Sequence, residues 1–153
     1  MTPKSPAPTA AEAADSSRTF SNPLQASRPR LLVLGAGGQV GNSLLRLCQS
    51  ADSPMHVLGL TRSQAPLDQP DLFGSAVAQA IESFKPSHIL NAAAYTAVDQ
   101  AEKEPELAHR VNGQALAQLS ELAAKHSAQA SQAIAILHYS TDYVFDGQKP
   151  VGQ

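Results

Sequence analysis

The sequence predicts an α/β chain, a doubly wound parallel sheet of about five strands with helices on its two faces. Three observations carry this. Short apolar runs alternate with longer stretches whose apolar residues recur at helical spacing. The connections between them are short, as crossover units require. The first apolar run, Leu31-Leu32-Val33-Leu34, leads straight into the glycine turn Gly35-Ala36-Gly37-Gly38-Gln39-Val40-Gly41. Strand, glycine turn and helix in that order is the context in which such a turn binds a dinucleotide.

Each element has its own justification. The first strand is apolar throughout, which suits a sheet covered on both faces. In the turn, Gly35 can leave the strand sharply, Gly37 and Gly38 let the backbone approach a pyrophosphate, and Gly41 allows helix to pack on strand. The helix start then offers free N–H groups and a partial positive charge to phosphates. The spacing is G-x-x-G-x-x-G through Gly35, Gly38 and Gly41, not the strict G-x-G-x-x-G, and an ordinary glycine-rich turn is the bland alternative. Behind it Val40, Leu44, Leu47 and Cys48 form the apolar face expected to be buried.

Ser50 to Pro54 breaks the pattern, and Met55 to Leu60 reads as a second strand. Thr61 and Arg62 follow it with no acid, which leans toward a 2′-phosphate (NADP) over a bare ribose (NAD); a solvated loop arginine is the alternative. Ala65 to Asp68 reads as a short third strand or a turn. Pro70 suits a first helical turn that Asp68 or Gln69 can cap, and Phe73, Val77, Ala80, Ile81 and Phe84 form the buried stripe of that helix. Asp68 has a second reading, a contact to an adenine.

Ser87 to Ala94 is a fourth strand, whose small residues Ala92, Ala93 and Ala94 predict that something approaches the backbone closely at its end. Asp99 to Lys103 suits a short helical turn. Pro105 opens a long helix carrying Leu107, Val111, Ala115, Leu119 and Leu122, with Asn112 inside it expected to hold a structural partner. Ser127 to Gln132 reads as a polar loop, and Ala133 to Tyr139 as a fifth strand ending at Ser140-Thr141-Asp142-Tyr143. Ligands of such sheets bind outside the carboxyl ends of the strands, where the glycine turn, Thr61-Arg62, Ala92-Ala93-Ala94 and Ser140-Thr141 all fall.

The totals bound the rest. At 153 residues the chain amounts to one domain, and its formal charge of −2 speaks against nucleic acid or an anionic membrane as a partner. One cysteine, Cys48, cannot form an internal disulfide, so a reducing cytoplasm is the expected setting. No apolar run reaches the length of a membrane span, and no metal-ligand set is assigned. Residues 1 to 29 are rich in Ala, Pro and Ser and are expected to be a disordered tail, with the nucleotide-binding domain over residues 30 to 153.

Three stretches taken together resemble the dTDP-4-dehydrorhamnose reductases, which belong to the extended short-chain dehydrogenase/reductases. They are the glycine turn Gly35 to Gly41, Asn91-Ala92-Ala93-Ala94-Tyr95-Thr96-Ala97-Val98-Asp99, and Ser140-Thr141-Asp142-Tyr143-Val144-Phe145-Asp146-Gly147. Glu102, Glu104-Pro105-Glu106 and Val111-Asn112 fit the same resemblance. It implies a Rossmann-like fold and reduction by NADPH, or NADH, of the 4-keto group of a dTDP-sugar. It implies cofactor contacts from Gly35, Gly38, Gln39, Val40, Gly41, Arg62, Asp68 and Ala92 to Ala94. Thr141 would hydrogen-bond the keto oxygen, and Val98, Asp142 and Tyr143 would border the sugar. A homodimer would be the assembly of the whole protein.

One feature of that superfamily is missing from the sequence. Its proton donor is a tyrosine whose pKa is lowered by a lysine four residues on. Here Tyr95 is followed at that distance by Asp99, Tyr139 by Tyr143, and Tyr143 by Gly147. The resemblance places the pair, and most of the sugar-nucleotide domain, downstream of residue 153, so the chain reads as an amino-terminal portion that is inactive alone. The alternative is a non-catalytic NADP-binding module similar to the regulatory subunit of methionine adenosyltransferase.

Overall fold

A computed structural model describes residues 28–50 and 52–140. Strand β1 (Arg30–Leu34) is followed by α1 (Gln39–Cys48), β2 (His56–Leu60), α2 (Pro70–Phe84) and β3 (His88–Asn91). A short α3 (Val98–Ala101) and α4 (Pro105–His109) lead through a π-helical turn (Arg110–Gln114) into α5 (Ala115–Ala130), and β4 (Ala135–His138) closes the order. The four strands are all parallel, in the spatial order β2-β1-β3-β4. The chain thus builds outward from β1 to β2, then crosses back to β3 on the other side. The change of direction puts a switch point between β1 and β3, at the carboxyl ends of the strands.

The two faces are covered differently. Leu32, Leu34 and Ile89 face α2 and α5 and are fully or almost fully buried with Phe73, Val77, Ile81 and Leu119. Alternation along the strands sends Val33 and its register partner Gly59 to the opposite face, against α1. A Cβ on Gly59 would lie 2.8 Å from both the Ala36 Cβ and Leu45 Cδ1, so the helix sits directly on β2 there. At the amino-terminal edge of the sheet, Arg30 donates from Nε to the Phe84 carbonyl and lays its guanidinium 4.5 Å from the Phe84 ring centroid. This satisfies one of the carbonyls left open at the end of α2.

Four expectations are corrected. Of the two readings of Ala65 to Asp68, strand or turn, the turn holds, so the described sheet has four strands where about five were expected. Ala65 N–H donates to the Thr61 carbonyl (2.9 Å) and Gln69 N–H to the Pro66 carbonyl (3.1 Å), and these successive turns leave no extended backbone to pair. Pro66 also lacks a donor for a ladder. Ala65 and Leu67 still enter the core as loop residues. The buried line of α1 differs as well: Val40 and Leu47 are exposed, Leu47 to 75%. Gly41 touches the turn backbone, so the facing line runs Gly41, Leu45, Cys48 at helical steps and carries Val40 and Leu47 off to the side.

The third correction is that Ser127 to Ala130 continues α5, and the chain turns only at Ser131, in the left-handed region at φ 52°. Alanines at 128 and 130 favour the helix, and Ser127 Oγ accepts the Ile134 N–H from the returning chain. The fourth is that the long helix after Pro105 is not uniform. Its apolar positions Leu107, Val111, Ala115 and Leu119 recur every four residues, a longer step than the 3.6 of an α-helix. The wider π turn at Arg110–Gln114 takes up part of that drift and keeps the line facing the sheet. The expected tail lies, except for Arg28 and Pro29, outside the described residues.

The approach of Gly41 to the glycine turn gives a stability prediction. A Cβ on Gly41 would lie 2.3 Å from the Gly35 carbonyl oxygen and 2.9 Å from the Ala36 Cα, and both are backbone atoms that cannot swing away. Gly41→Ala is expected to destabilise the chain by about 1–3 kcal/mol, the usual cost of overpacking, seen as a lower urea midpoint. An unchanged midpoint would contradict the packing described.

Candidate functional site

The site is built at the switch point by a turn that folds onto two strand ends. Gly35 sits at φ +79°, where a side chain is strained, and its N–H and that of Ala36 both donate to the Leu60 carbonyl at 3.0 Å. Gly38 N–H then donates to the Gly35 carbonyl at 3.0 Å, closing the turn just before α1. Gly35 also lies against the end of β3. A Cβ there would be 2.8 Å from the Ala93 nitrogen and 2.9 Å from the Ala92 carbonyl carbon. The close approach expected at Ala92 to Ala94 is therefore made, at least in part, by Gly35 itself.

Gly37 is under no such pressure. An added Cβ would meet only Thr61 Cγ2, at 3.9 Å, an ordinary contact. Nothing described in the chain demands a glycine there, so the open space above it is free for a ligand. Gly38 is the N-cap of α1, with no side chain capping it and no acid in the first turn. The leading N–H groups at Gln39, Val40 and Gly41 are thus left for an anion, in a helix long enough to carry a dipole.

The second half of the rim lies beyond β2. Arg62 Nη2 donates to Asp68 Oδ2 at 3.3 Å, with the arginine side chain 78% exposed. Asp68 does not cap α2: Gln69 is the N-cap, and no side chain fills that role. Arg62, Leu67, Asp68, Ala94, Tyr95 and Val111 line a small pocket of about 60 Å³. A larger groove of about 310 Å³ lies between α2 and α5, away from the strand ends, and has no part in this rim.

The structure gives Asn112 a specific partner, the backbone of Tyr95. Asn112 Oδ1 accepts the Tyr95 N–H at 2.8 Å, and its Nδ2 donates to the Tyr95 carbonyl at 3.1 Å. It does so from inside the π turn, so the irregularity of the helix and the clamp on the β3 loop coincide. Tyr95 then donates from its hydroxyl to Glu104 Oε2 at 2.8 Å. That hydrogen bond to a carboxylate raises the phenol above its ordinary pKa, with desolvation adding to it. A group held this way keeps its proton, the reverse of what a proton donor needs.

The structure thus brings together Gly35, Gly38, Gln39, Val40, Gly41, Ala92 and Ala93 around the turn, and Arg62, Asp68 and Ala94 around the adjoining pocket. Val98 is at the start of α3 and is 72% exposed. Thr141, Asp142 and Tyr143 lie outside the described residues, and Ser140 ends them just past β4. Among the described residues no cluster of three His, Cys, Asp or Glu side chains is placed to hold a metal, and no helix is long and apolar enough to cross a membrane.

Comparison with known proteins agrees with this geometry. A family model described as the RmlD substrate binding domain matches residues 29–152. The dTDP-4-dehydrorhamnose reductase of Aggregatibacter actinomycetemcomitans is 47% identical over 120 residues, covering 78% of this chain and 37% of that protein. The enzyme of the same name from Escherichia coli is 36% identical over 118 residues, 76% of this chain and 36% of its own length. The chain therefore spans a little over a third of the curated relatives it matches. Among solved structures, the dTDP-4-dehydrorhamnose reductase of Bacillus anthracis in complex with NADP superposes with a TM-score of 0.64 at 29% identity, covering 82% of this chain and 40% of that one. An orthologue from Clostridium acetobutylicum gives 0.62 at 28% identity, with 79% and 39% covered. The parallel sheet is thus the Rossmann-like one of these reductases, and the chain belongs to the family of the RmlD substrate binding domain.

Proposed function

We propose that this chain is the dinucleotide-binding portion of a dTDP-4-dehydrorhamnose reductase and that it binds NADPH, with NADH as the weaker alternative. The observation that carries this reading is the uncapped start of α1 beside Gly37, whose Cβ position opens onto free space. A pyrophosphate matches both features, because it needs donors and a close backbone approach. The similar reductase of Bacillus anthracis was solved in complex with NADP, which supports the choice of dinucleotide.

In this reading Gly38, Gln39, Val40 and Gly41 take the pyrophosphate, and Gly35 holds the turn that presents them. Arg62 takes the 2′-phosphate, with Asp68 beside it to orient the guanidinium and face the adenine. Ala92, Ala93 and Ala94 line the ribose and nicotinamide side. The bound dinucleotide supplies the hydride. The chain's own share of the chemistry is a hydrogen bond from Thr141 to the keto oxygen, with Val98, Asp142 and Tyr143 bordering the sugar. The same reading carries over a cytoplasmic setting, a dTDP-sugar substrate and a homodimeric whole protein.

In this reading the proton donor is not among the described residues. Negative charge built on a carbonyl oxygen during hydride transfer must be neutralised by a positioned acid. An aliphatic hydroxyl such as Thr141 is far too weak an acid for this. Tyr95, held by Glu104, keeps its proton. Absent general acid catalysis typically costs about two to four powers of ten in rate.

Three measurements test the proposal. In calorimetric titrations the chain is expected to bind NADPH, and Gly38→Val to abolish binding with the far-ultraviolet circular dichroism unchanged; equal affinities would overturn the pyrophosphate assignment. Arg62→Ala is expected to weaken NADPH more than NADH, by about 1–3 kcal/mol for a lost charge-assisted hydrogen bond. An unchanged ratio would remove Arg62 from the site. Followed by NADPH absorbance, the 153-residue chain is expected to show no useful turnover of dTDP-4-dehydrorhamnose. A longer form that includes a Tyr-x-x-x-Lys pair is expected to turn over, more slowly as Thr141→Val. Robust turnover by the present chain would show that the proton donor lies within it.

A further inference from the structure

Asn91, the last residue of β3, is only 2% exposed and stands in register with His138, the last residue of β4. Its two side-chain heteroatoms are both engaged. Oδ1 lies 3.1 Å from the Ala93 nitrogen, and Nδ2 lies 3.2 Å from His138 Nδ1. A backbone N–H can only donate, which fixes the atom beside Ala93 as the amide oxygen. The other atom is then the amide nitrogen, which can only donate in its turn. His138 Nδ1 must therefore accept. The ring proton is then on Nε2.

We infer that Asn91 and His138 are a positioning pair: the Nε2–H form of His138 fixes the orientation of the buried Asn91 amide, and that amide holds the Ala93 N–H at the dinucleotide rim. The inference follows the direction of the bonds. With a proton on Nδ1, either orientation of the amide would satisfy only one of its two neighbours, because its turned form would set an NH₂ group against the Ala93 N–H. With the acceptor in place, only one of the two orientations satisfies both neighbours. Ala93 lies against Gly35, 2.8 Å from where a Cβ would sit, so the orientation of one amide bears on the turn as well as the strand end. The pair also ties β3 to β4 at their carboxyl ends, beside Ser140. Its consequence for binding rests on the proposed dinucleotide function; its proton arrangement does not.

The test separates the two. Nitrogen-15 spectra of histidine-labelled chain, in mildly alkaline buffer where a free imidazole is neutral, report which ring nitrogen carries the proton. The expected result is an unprotonated Nδ1 in His138. Asn91→Asp, nearly the same in size, replaces the donor by a carboxylate oxygen and is expected to move the proton to Nδ1; Asn91→Ala is expected to leave a mixture. A wild-type Nδ1–H, or a tautomer unmoved by both variants, would overturn the inference.

Titration with NADPH supplies the second readout. His138→Leu is expected to bind roughly tenfold more weakly, the loss of one positioning hydrogen bond, while His138→Gln, which offers an amide oxygen as acceptor, restores most of the affinity. Equal affinities for the leucine and glutamine variants would overturn the positioning role. Wild-type chain that showed the expected tautomer but bound no NADPH would instead overturn the proposed function and leave the pair standing.

Discussion

The structure depends on one close approach of backbone to backbone. At Gly35 the chain leaves β1, bonds to the end of β2 and presses on Ala92 and Ala93 at the end of β3. At Gly41 the first turn of α1 comes back onto the same glycine, close enough to the Gly35 carbonyl to exclude a side chain. Two positions without Cβ atoms thus lock three strands and a helix at one point. That point is also where the sheet changes direction and where the helix start is left uncapped. The packing requirement and the proposed binding surface therefore meet in one turn.

Because the turn is fixed by packing, the glycines can be sorted by what they exclude. Gly35 and Gly41 are required by the fold itself. Gly37 is not, since ordinary space surrounds its Cβ position, and its presence supports a close approach by something other than this chain. Arg62 shows a similar division. Its ion pair with Asp68 is largely exposed, and an exposed pair contributes about 0–1 kcal/mol. Its place beside the pocket therefore says more about a ligand than about stability.

Much of this was legible in the sequence, and the parts that were not have identifiable causes. Leu31 to Gly41 gave strand, turn and helix because buried parallel strands and glycine turns leave strong local marks. Phe73, Val77, Ala80 and Ile81 gave the buried face of α2 through plain helical spacing. Val40 and Leu47 misled, because which side of α1 faces the sheet is decided by the contact at Gly41 and not by apolar periodicity. Ala65 and Leu67 fitted either a strand or a turn, because burial alone does not separate the two, and they reach the core from a series of turns. Asn112 read as structural, and it is, but its partner Tyr95 lies 17 residues away and no local signal announces it. The Asn91 to His138 contact spans 47 residues and depends on strand order, which spacing alone does not specify.

We propose that the rim formed by Gly38 to Gly41, Thr61-Arg62 and Ala92 to Tyr95 holds the dinucleotide. Amide hydrogen exchange read residue by residue, with and without NADPH, tests it most directly. Slowed exchange is expected at the amides of Gln39, Val40 and Gly41 and along Ala92 to Tyr95, with the outer ends of α2 and α5 unchanged. Protection confined to the groove between α2 and α5, or no protection at saturating NADPH, would contradict it.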